Sequence, residues 1–304
     1  MVFHEKPAQT ERRALRAVSR MAGCALLLVC VSQLVVSFAA VWLRDRLALN
    51  DSAWFTLVAV LSGVTVLTGA LLGTRMAGDR NQGGRRAPLF PDSLLLIPAC
   101  AALCMAGNLV GALVEQVAGR AGIEFQGGPE PPQPQSLPGL LLLLLTVAVL
   151  PAIAEEWLLR GVILPPLRRF GDGFAVVCTA MLFALLHQNM EQAPMAFVSG
   201  LALGWAYVRS GRLAVPIAIH LWNNAAAVAL TLLPEGMESL YVLGLGALGM
   251  LCLFILYLRK PVPRKNVCDL PAYRRASNFF FGSAAMVLAL AYFVVVIALN
   301  TRVA

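Results

Sequence analysis

Residues 139–163 read GLLLLLLTVAVLPAIAEEWLLRGVI, an almost unbroken apolar run with three charged side chains inside it. A helix needs roughly 20 apolar residues to cross a bilayer, so this run is long enough to span one. Each charge at membrane depth costs roughly 2.5–3.5 kcal/mol on insertion scales, and Glu155, Glu156 and Arg160 therefore need partners or a function. The run predicts a membrane-spanning helix that carries part of a buried polar site.

The composition of the whole chain agrees with a membrane protein. Of its 304 residues 59% are hydrophobic and 13% charged, with a mean hydropathy of +0.75, whereas soluble domains are about 25% charged. Long apolar runs favour helices over a barrel. We predict an all-α polytopic membrane protein of about eight to nine transmembrane helices with a buried active site. The candidate spans are 21–43, 53–74, 93–118, 139–163, 173–190, 195–209, 213–233, 240–258 and 279–299.

The net charge of +8 is distributed as a topology signal. With the N-terminus inside, nineteen of the 24 Lys and Arg residues fall in inside segments, four fall outside and Arg160 lies in the membrane. This alternation follows the positive-inside rule. We expect the N-terminus inside and the basic loop 259–278 against anionic lipid headgroups. No basic face with interleaved aromatic residues is present, so nucleic acid is not an expected partner.

The first polar motif lies within residues 139–163. Glu156 and Arg160 are four residues apart and share a helix face, so we interpret them as a structural ion pair. Glu155 points about 100° away and has no local cation, which is the profile of a general acid or base. The alternative is that both acids share Arg160 in a purely structural cluster.

Two further motifs interrupt later apolar runs. Phe183 and His187 are four apart, so the phenyl ring can pack beside the imidazole; the alternative is a hydrogen-bonded core histidine without a function. His220 and Asn224 are also four apart and can direct two donors to one oxyanion. The alternative for them is an interhelical hydrogen-bonded pair. Asn223 is expected to point elsewhere and to play a supporting role.

A proline precedes two of these residues by one helical turn. Pro151 lies four residues before Glu155, and Pro216 four before His220. Each proline frees the carbonyl of the preceding turn and is expected to open its helix to water and an extended substrate.

The three motifs together resemble the signature of a known family. In chain order they are E-E-x-x-x-R from Glu155, F-x-x-x-H from Phe183 and H-x-x-x-N from His220. This pattern resembles the CAAX-protease and bacteriocin-processing (CPBP) family, which includes the Ras-converting prenyl-protein endopeptidases and bacterial relatives. The resemblance covers roughly residues 139–233.

The resemblance implies an intramembrane endopeptidase of the glutamic type. By position, Glu155 and His187 would activate water, while His220 and Asn224 would hold the oxyanion. The expected partner is a membrane-associated peptide or protein substrate, the location is the bacterial cytoplasmic membrane, and no cofactor is expected. The predicted supporting residues are Glu156, Arg160, Phe183 and Asn223.

Three other functions compete with this interpretation. A zinc protease would use Glu155, His187 and His220 as metal ligands, although no H-E-x-x-H motif is present and Asn224 would then have no role. A non-catalytic peptide-binding or immunity-type protein is argued against by the intact motif set. A transporter is argued against because no inverted repeat is visible.

The same features divide the chain into five segments. They are a basic cytoplasmic tail (1–20), N-terminal transmembrane helices (21–126), a Pro-rich outer loop (127–138), a CPBP-like catalytic core (139–233) and C-terminal transmembrane helices with a basic cytoplasmic loop (234–304).

Overall fold

The computed structural model describes residues 7–78, 92–127, 131–259 and 279–303. Within these ranges the chain forms a bundle of nine principal helices, which confirms the predicted all-α membrane fold. They are α1 (Pro7–Leu47), α2 (Asp51–Ala77), α3 (Ser93–Arg120), α4 (Leu137–Phe170), α5 (Asp172–Leu186), α6 (Ala193–Ser210), α7 (Ala214–Leu230), α8 (Glu238–Leu258) and α9 (Ala284–Leu299).

Helix α1 differs most from its predicted span. It begins at Pro7, so residues that we assigned to a separate tail continue the first membrane helix. Leu15 and Val18 are buried in this extension, and Ser19 is fully buried. These residues recur at helical spacing, and their packing keeps the chain helical ahead of the apolar run. The basic loop that we expected against lipid headgroups lies almost wholly in 260–278, outside the described residues.

Five of the described helices are long and apolar enough to cross a membrane, namely α1, α2, α3, α4 and α8. Helices α5, α7 and α9 are apolar but shorter. Helix α5 has 15 residues, about 22 Å at 1.5 Å per residue, which is less than the roughly 30 Å of the hydrocarbon core. It ends at Leu186, and the next residue, His187, lies beside residues of α4 and α7 at one cavity.

Close helix contacts surround the central segment. Helix α1 packs on α2 and α9, α3 packs on α6, α7 and α8, and α5 packs on α6. At the α5–α6 contact, a Cβ on Gly200 would lie 2.8 Å from the Cα of Ala180. A side chain at Gly200 would force the two backbones apart, so the glycine sets the separation of these helices.

A short antiparallel ribbon joins two distant parts of the chain. Strand β1 (Ile123–Phe125) follows α3 and pairs with β2 (Thr301–Val303), which follows α9. Glu124 stands opposite Arg302 in this ribbon, and opposite charges across strands are favourable. The ribbon ties the end of the chain to the bundle.

Candidate active site

The predicted catalytic residues meet at one cavity of about 200 Å³, here called the catalytic cavity. Glu155 comes from α4, His187 from the end of α5, and His220 and Asn224 from α7. Residues up to 69 positions apart in sequence therefore share one space. The other described residues that line it are Cys104, Pro151, Phe183, Met195, Ser199, Leu203 and Asn223.

Helix α4 is irregular where it carries the first motif. Wider π-helical turns at Leu145–Val149 and Trp157–Ile163 flank an α-helical segment, Leu150–Glu156. Such π-bulges occur mostly as single turns inside α-helices and are frequent at functional sites. They change which side of α4 each residue faces, so Glu155 lines the catalytic cavity while Glu156 is fully buried in the protein.

Glu156 holds two cationic or potentially cationic partners. Its Oε1 lies 2.7 Å from Nη1 of Arg160 and 3.1 Å from Nδ1 of His220. Arg160 is fully buried and donates from Nη2 to the carbonyl oxygen of Gly200, 2.9 Å away. The predicted Glu156–Arg160 pair is thus present, and it also links α4 to α6 and α7. Glu156 also orients a ring of the catalytic cavity, which the sequence interpretation did not include.

Glu155 stands apart from this pair, as its position on the helix predicts. Its Oε2 lies 4.0 Å from Nε2 of His220 and has no hydrogen-bond partner among the described residues. The side chain is 20% exposed, whereas that of Glu156 is 0% exposed. Oε1 of Glu156 is engaged by Arg160 and His220, whereas Glu155 lines the cavity, where its carboxylate can contact a bound molecule.

The partners of the two histidines assign their tautomers. A carboxylate paired with arginine can only accept, so Nδ1 of His220 carries the hydrogen that points to Glu156. Nδ1 of His187 likewise donates to the carbonyl oxygen of Phe183, 2.9 Å away. In a neutral ring the other nitrogen, Nε2, is then an acceptor. His187 therefore has an acceptor available, while Nε2 of His220 donates only when that ring holds a second proton.

Phe183 packs between the charged residues and both histidines. Its ring centroid lies 5.0 Å from that of His187 and 5.6 Å from that of His220, both edge to face. The guanidinium of Arg160 lies over the same ring, 4.9 Å from its centroid. The expected packing of Phe183 beside His187 is confirmed, and the ring also fixes the separation of the two imidazoles.

A polar network anchors the residue after His187. Gln188 has a φ of 59°, a left-handed conformation that is uncommon for a residue other than glycine. Its side-chain amide hydrogen-bonds to Gln33 of α1, and its Oε1 accepts from the hydroxyl of Tyr292 of α9 at 3.3 Å. Asn300 donates to its main-chain carbonyl at 3.1 Å. Helices outside the family motifs therefore hold the turn that ends α5 at His187.

Asn224 is oriented by the backbone of α4. Its Nδ2 donates to the carbonyl oxygen of Val147, 3.0 Å away. Pro151, four residues later, has no N–H to give this carbonyl. Asn223 donates to Oδ1 of Asn224 at 3.3 Å and lines the same cavity, so our expectation that it points elsewhere is wrong. The side chain of Asn223 turns towards its neighbour because the amide oxygen there offers an acceptor.

The two prolines do not act alike. Pro151 lies inside α4, whereas Pro216 is in the first turn of α7, where a backbone N–H has no helical acceptor in any case. The expectation that Pro216 opens its helix is therefore wrong. The carbonyl of Arg212, one turn earlier, accepts from the hydroxyl of Ser210 at 3.3 Å.

The opposite wall of the catalytic cavity was not predicted from the sequence. Cys104 of α3, with Met195, Ser199 and Leu203 of α6, completes that wall. These residues carry no ionisable motif, and α3 lies outside the segment of resemblance. A serine in an apolar helix was the one available signal, at Ser199.

The zinc alternative requires Glu155, His187 and His220 to hold one ion. Among 7–78, 92–127, 131–259 and 279–303, no group of three or more His, Cys, Asp or Glu side chains is placed to hold a metal ion. Nδ1 of His187 is hydrogen-bonded to the carbonyl of Phe183, and Nδ1 of His220 is hydrogen-bonded to Glu156. Metal content of the purified protein is the measurement that decides this question.

Comparison with known proteins bears on the segment that builds this cavity. Residues 137–226 match the family model described as type II CAAX prenyl endopeptidase Rce1-like. The matched segment is about a third of the chain and is called the Rce1-like segment after the model that it resembles. The resemblance inferred from the three motifs is thus confirmed, and the Rce1-like segment includes Glu155, His187, His220 and Asn224.

Two relatives share part of this region. The membrane-embedded CAAX protease MroQ of Staphylococcus aureus (strain USA300) is 33% identical over 101 residues, covering 31% of this chain and 41% of that protein. An uncharacterized 24.3 kDa protein of Escherichia coli is 32% identical over 93 residues, covering 29% of this chain and 43% of that protein. The chain thus spans about two fifths of the length of each. No solved structure matches it.

Proposed function

We propose that this protein is an intramembrane endopeptidase that hydrolyses a peptide bond of a membrane-associated peptide or protein. The observation that carries the proposal is the catalytic cavity, where an unengaged carboxylate, two imidazoles and an amide converge within the Rce1-like segment. These groups are the parts needed to activate water and to stabilise a tetrahedral oxyanion.

Glu155 and His187 activate the water. Glu155 takes a proton from the attacking water, and the acceptor Nε2 of His187 orients that water towards the scissile carbonyl. The absence of a hydrogen-bond partner for Oε2 of Glu155 among the described residues supports this role. So does the Phe183 carbonyl, which fixes the tautomer of His187.

His220 and Asn224 stabilise the oxyanion. Asn224 has two amide hydrogens, of which one is directed to Val147 and the other is available to the substrate. His220 contributes through Nε2 when its ring is protonated, and the hydrogen bond from its Nδ1 to Glu156 orients the ring. The hydroxide oxygen adds to the carbonyl carbon, and the oxyanion lies against these two donors.

Collapse of the tetrahedral intermediate breaks the C–N bond. The proton that Glu155 took from water then passes to the leaving amine, so Glu155 acts first as base and then as acid. One water is consumed, and the products are a carboxylic acid and an amine. No step in this sequence needs a cofactor.

The proposal extends to place and orientation in the cell. The protein is an integral membrane protein, and we propose the bacterial cytoplasmic membrane with the N-terminus inside, from the distribution of Lys and Arg. The substrate reaches the cavity from the bilayer as an extended segment, because only an extended peptide exposes its carbonyl to the buried residues.

The decisive experiment compares membranes that contain the protein with membranes that contain Glu155→Gln. Glu155→Gln keeps the size of the side chain and removes the base, so new peptide termini should appear with the parent protein and disappear with the variant. Glu124→Gln, a change in the β-ribbon, is the matched control and should behave like the parent. The termini are detected by proteomics. Termini that are absent from membranes without the protein but appear equally with the parent and with Glu155→Gln would contradict the mechanism.

The zinc alternative has a separate test. Metal content and peptidase activity are both measured before and after treatment of the active protein with a chelator. We expect that activity does not fall in parallel with the metal content. One zinc per chain, with activity lost on stripping and regained on refilling, would instead assign Glu155, His187 and His220 as ligands.

A further inference from the structure

A second and larger cavity lies beside α1, on the N-terminal side of Gln33, the α1 residue that contacts Gln188. It has a volume of about 890 Å³ and opens between the first turns of α1 and the start of α9. We call it the arginine cavity. The described residues that line it are Arg13, Arg16, Arg20, Cys24, Phe279, Gly282, Ser283, Ala284 and Ala285.

Three guanidinium groups face this space from one side of a helix. Arg13, Arg16 and Arg20 follow one another at spacings of three and four, which places them on one face of α1. All three are exposed. A concentration of positive charge of this kind is complementary to an anion that enters from outside the protein.

The walls of the arginine cavity are held in place by contacts between α1 and the segment before α9. The hydroxyl of Ser19 hydrogen-bonds to the carbonyl of Phe280 and lies 2.7 Å from Oγ of Ser283. A Cβ on Gly23 would lie 2.7 Å from the carbonyl carbon of Ala285, so the two helices touch there backbone to backbone. The cavity is therefore a built feature of the α1–α9 pair.

The lining joins charged groups to apolar ones. The guanidinium of Arg16 lies 5.3 Å from the ring centroid of Phe279, which fixes the arginine against an apolar wall. Ala284 and Ala285 form the first turn of α9, whose backbone N–H groups and dipole favour a negative charge. An amphiphilic anion matches such a lining better than a fully hydrated one.

The position along α1 selects the class of that anion. Arg20 is followed directly by the apolar run from Met21, so the three arginines lie where a membrane helix meets the headgroup layer. Arginine binds phosphate through two parallel hydrogen bonds. We propose that the arginine cavity binds an anionic phospholipid, with its phosphodiester on the guanidinium groups of Arg16 and Arg20 and its glycerol and first acyl carbons along the wall formed by Phe279 and α9.

This site is independent of the proposed peptidase activity. It shares no residue with the catalytic cavity, and its ligand is recognised by charge and amphiphilicity alone. Failure of the lipid experiment would leave the endopeptidase proposal unaffected, and failure of the peptidase experiment would leave the lipid site unaffected.

Native mass spectrometry of the full chain, released from detergent with added lipid, tests the proposal. Dioleoyl phosphatidylglycerol should bind at one preferred site, and dioleoyl phosphatidylcholine should bind at least about tenfold more weakly. Arg16→Gln with Arg20→Gln should weaken phosphatidylglycerol binding about tenfold or more, because each lost charged hydrogen bond is worth about a factor of ten. Arg44→Gln with Arg46→Gln, at the other end of α1, is the matched control and should bind like the parent.

A conservative variant and a competition experiment test how the lipid is recognised. Arg16→Lys with Arg20→Lys keeps the charge and the fold but loses the paired hydrogen bonds, so an intermediate affinity is expected. Equal binding of the two lipids, or unchanged binding in the Gln variant, would overturn the proposal. Displacement of the lipid by millimolar inorganic phosphate or by a polyglutamate peptide would also overturn it, because the site would then serve a soluble anion or an acidic segment.

Discussion

The side-chain nitrogen of Asn224 lies 3.0 Å from the carbonyl oxygen of Val147. The residue that would normally satisfy this carbonyl within α4 is Pro151, which has no N–H. A backbone hydrogen bond that α4 lacks is thus replaced by one from the Asn224 amide on α7. Both Pro151 and Asn224 line the catalytic cavity. Asn223 completes the arrangement by donating to the oxygen of the same amide. The amide orientation is therefore set from two sides.

Replacing Pro151 tests this relationship. Pro151→Ala restores an N–H that competes with Asn224 for the Val147 carbonyl, so the amide should lose its fixed orientation. We expect peptide turnover to fall about tenfold, a fraction of the roughly 10²–10³ attributed to a whole oxyanion donor. The measurement is kcat in detergent or liposomes. Pro216→Ala, in the first turn of α7, is the matched control and should change kcat little, while an equal loss in both variants would refute the specific role of Pro151.

Asn224 itself should matter for the transition state and little for substrate binding. Asn224→Ala removes one oxyanion donor, so kcat should fall by about 10²–10³ while KM changes little. Steady-state kinetics on the parent and variant give both constants. A large rise in KM at unchanged kcat would show that the amide binds the substrate in its ground state instead.

Glu156 should be needed for stability before catalysis is considered. Glu156→Gln leaves the fully buried Arg160 without its carboxylate, and breaking a buried pair in this way costs about 3–5 kcal/mol. The midpoint of unfolding in detergent should fall accordingly. The double change Glu156→Leu with Arg160→Met removes both charges and should recover much of the loss. Asp51→Asn, which breaks the exposed pair with Arg44, is the control and should have little effect.

Gln188 should act through the position of His187. Gln188→Ala removes the side-chain hydrogen bonds to Gln33 and Tyr292, which frees the turn at the end of α5. We expect kcat to fall several-fold, because a displacement of about 1 Å at a reacting group can cost as much as 10²-fold. Gln133→Ala, on the exposed loop before α4, is the control.

Hydrogen exchange followed by mass spectrometry separates positioning from general instability. In Gln188→Ala, faster exchange should be confined to residues near 187–192. Faster exchange throughout the bundle, or an unchanged kcat, would contradict the positioning role.

The amino-acid sequence by itself determined the helical membrane class and the pairing of Glu156 with Arg160. Both follow from local rules: an apolar run must form a helix in lipid, and residues four apart on a helix share a face. The motif spacing also predicted that Phe183 packs beside His187. Each of these inferences needs only one helix at a time.

The tertiary structure alone decided how the helices combine. The bridge from Glu156 to His220, the bond from Asn224 to Val147 and the anchoring of Gln188 by α1 and α9 all join residues more than 60 positions apart. Cys104 of α3 also reaches the catalytic cavity only through the packing of separate helices. No local pattern encodes such contacts, because they depend on where α5 ends and on the π-helical turns that rotate the faces of α4.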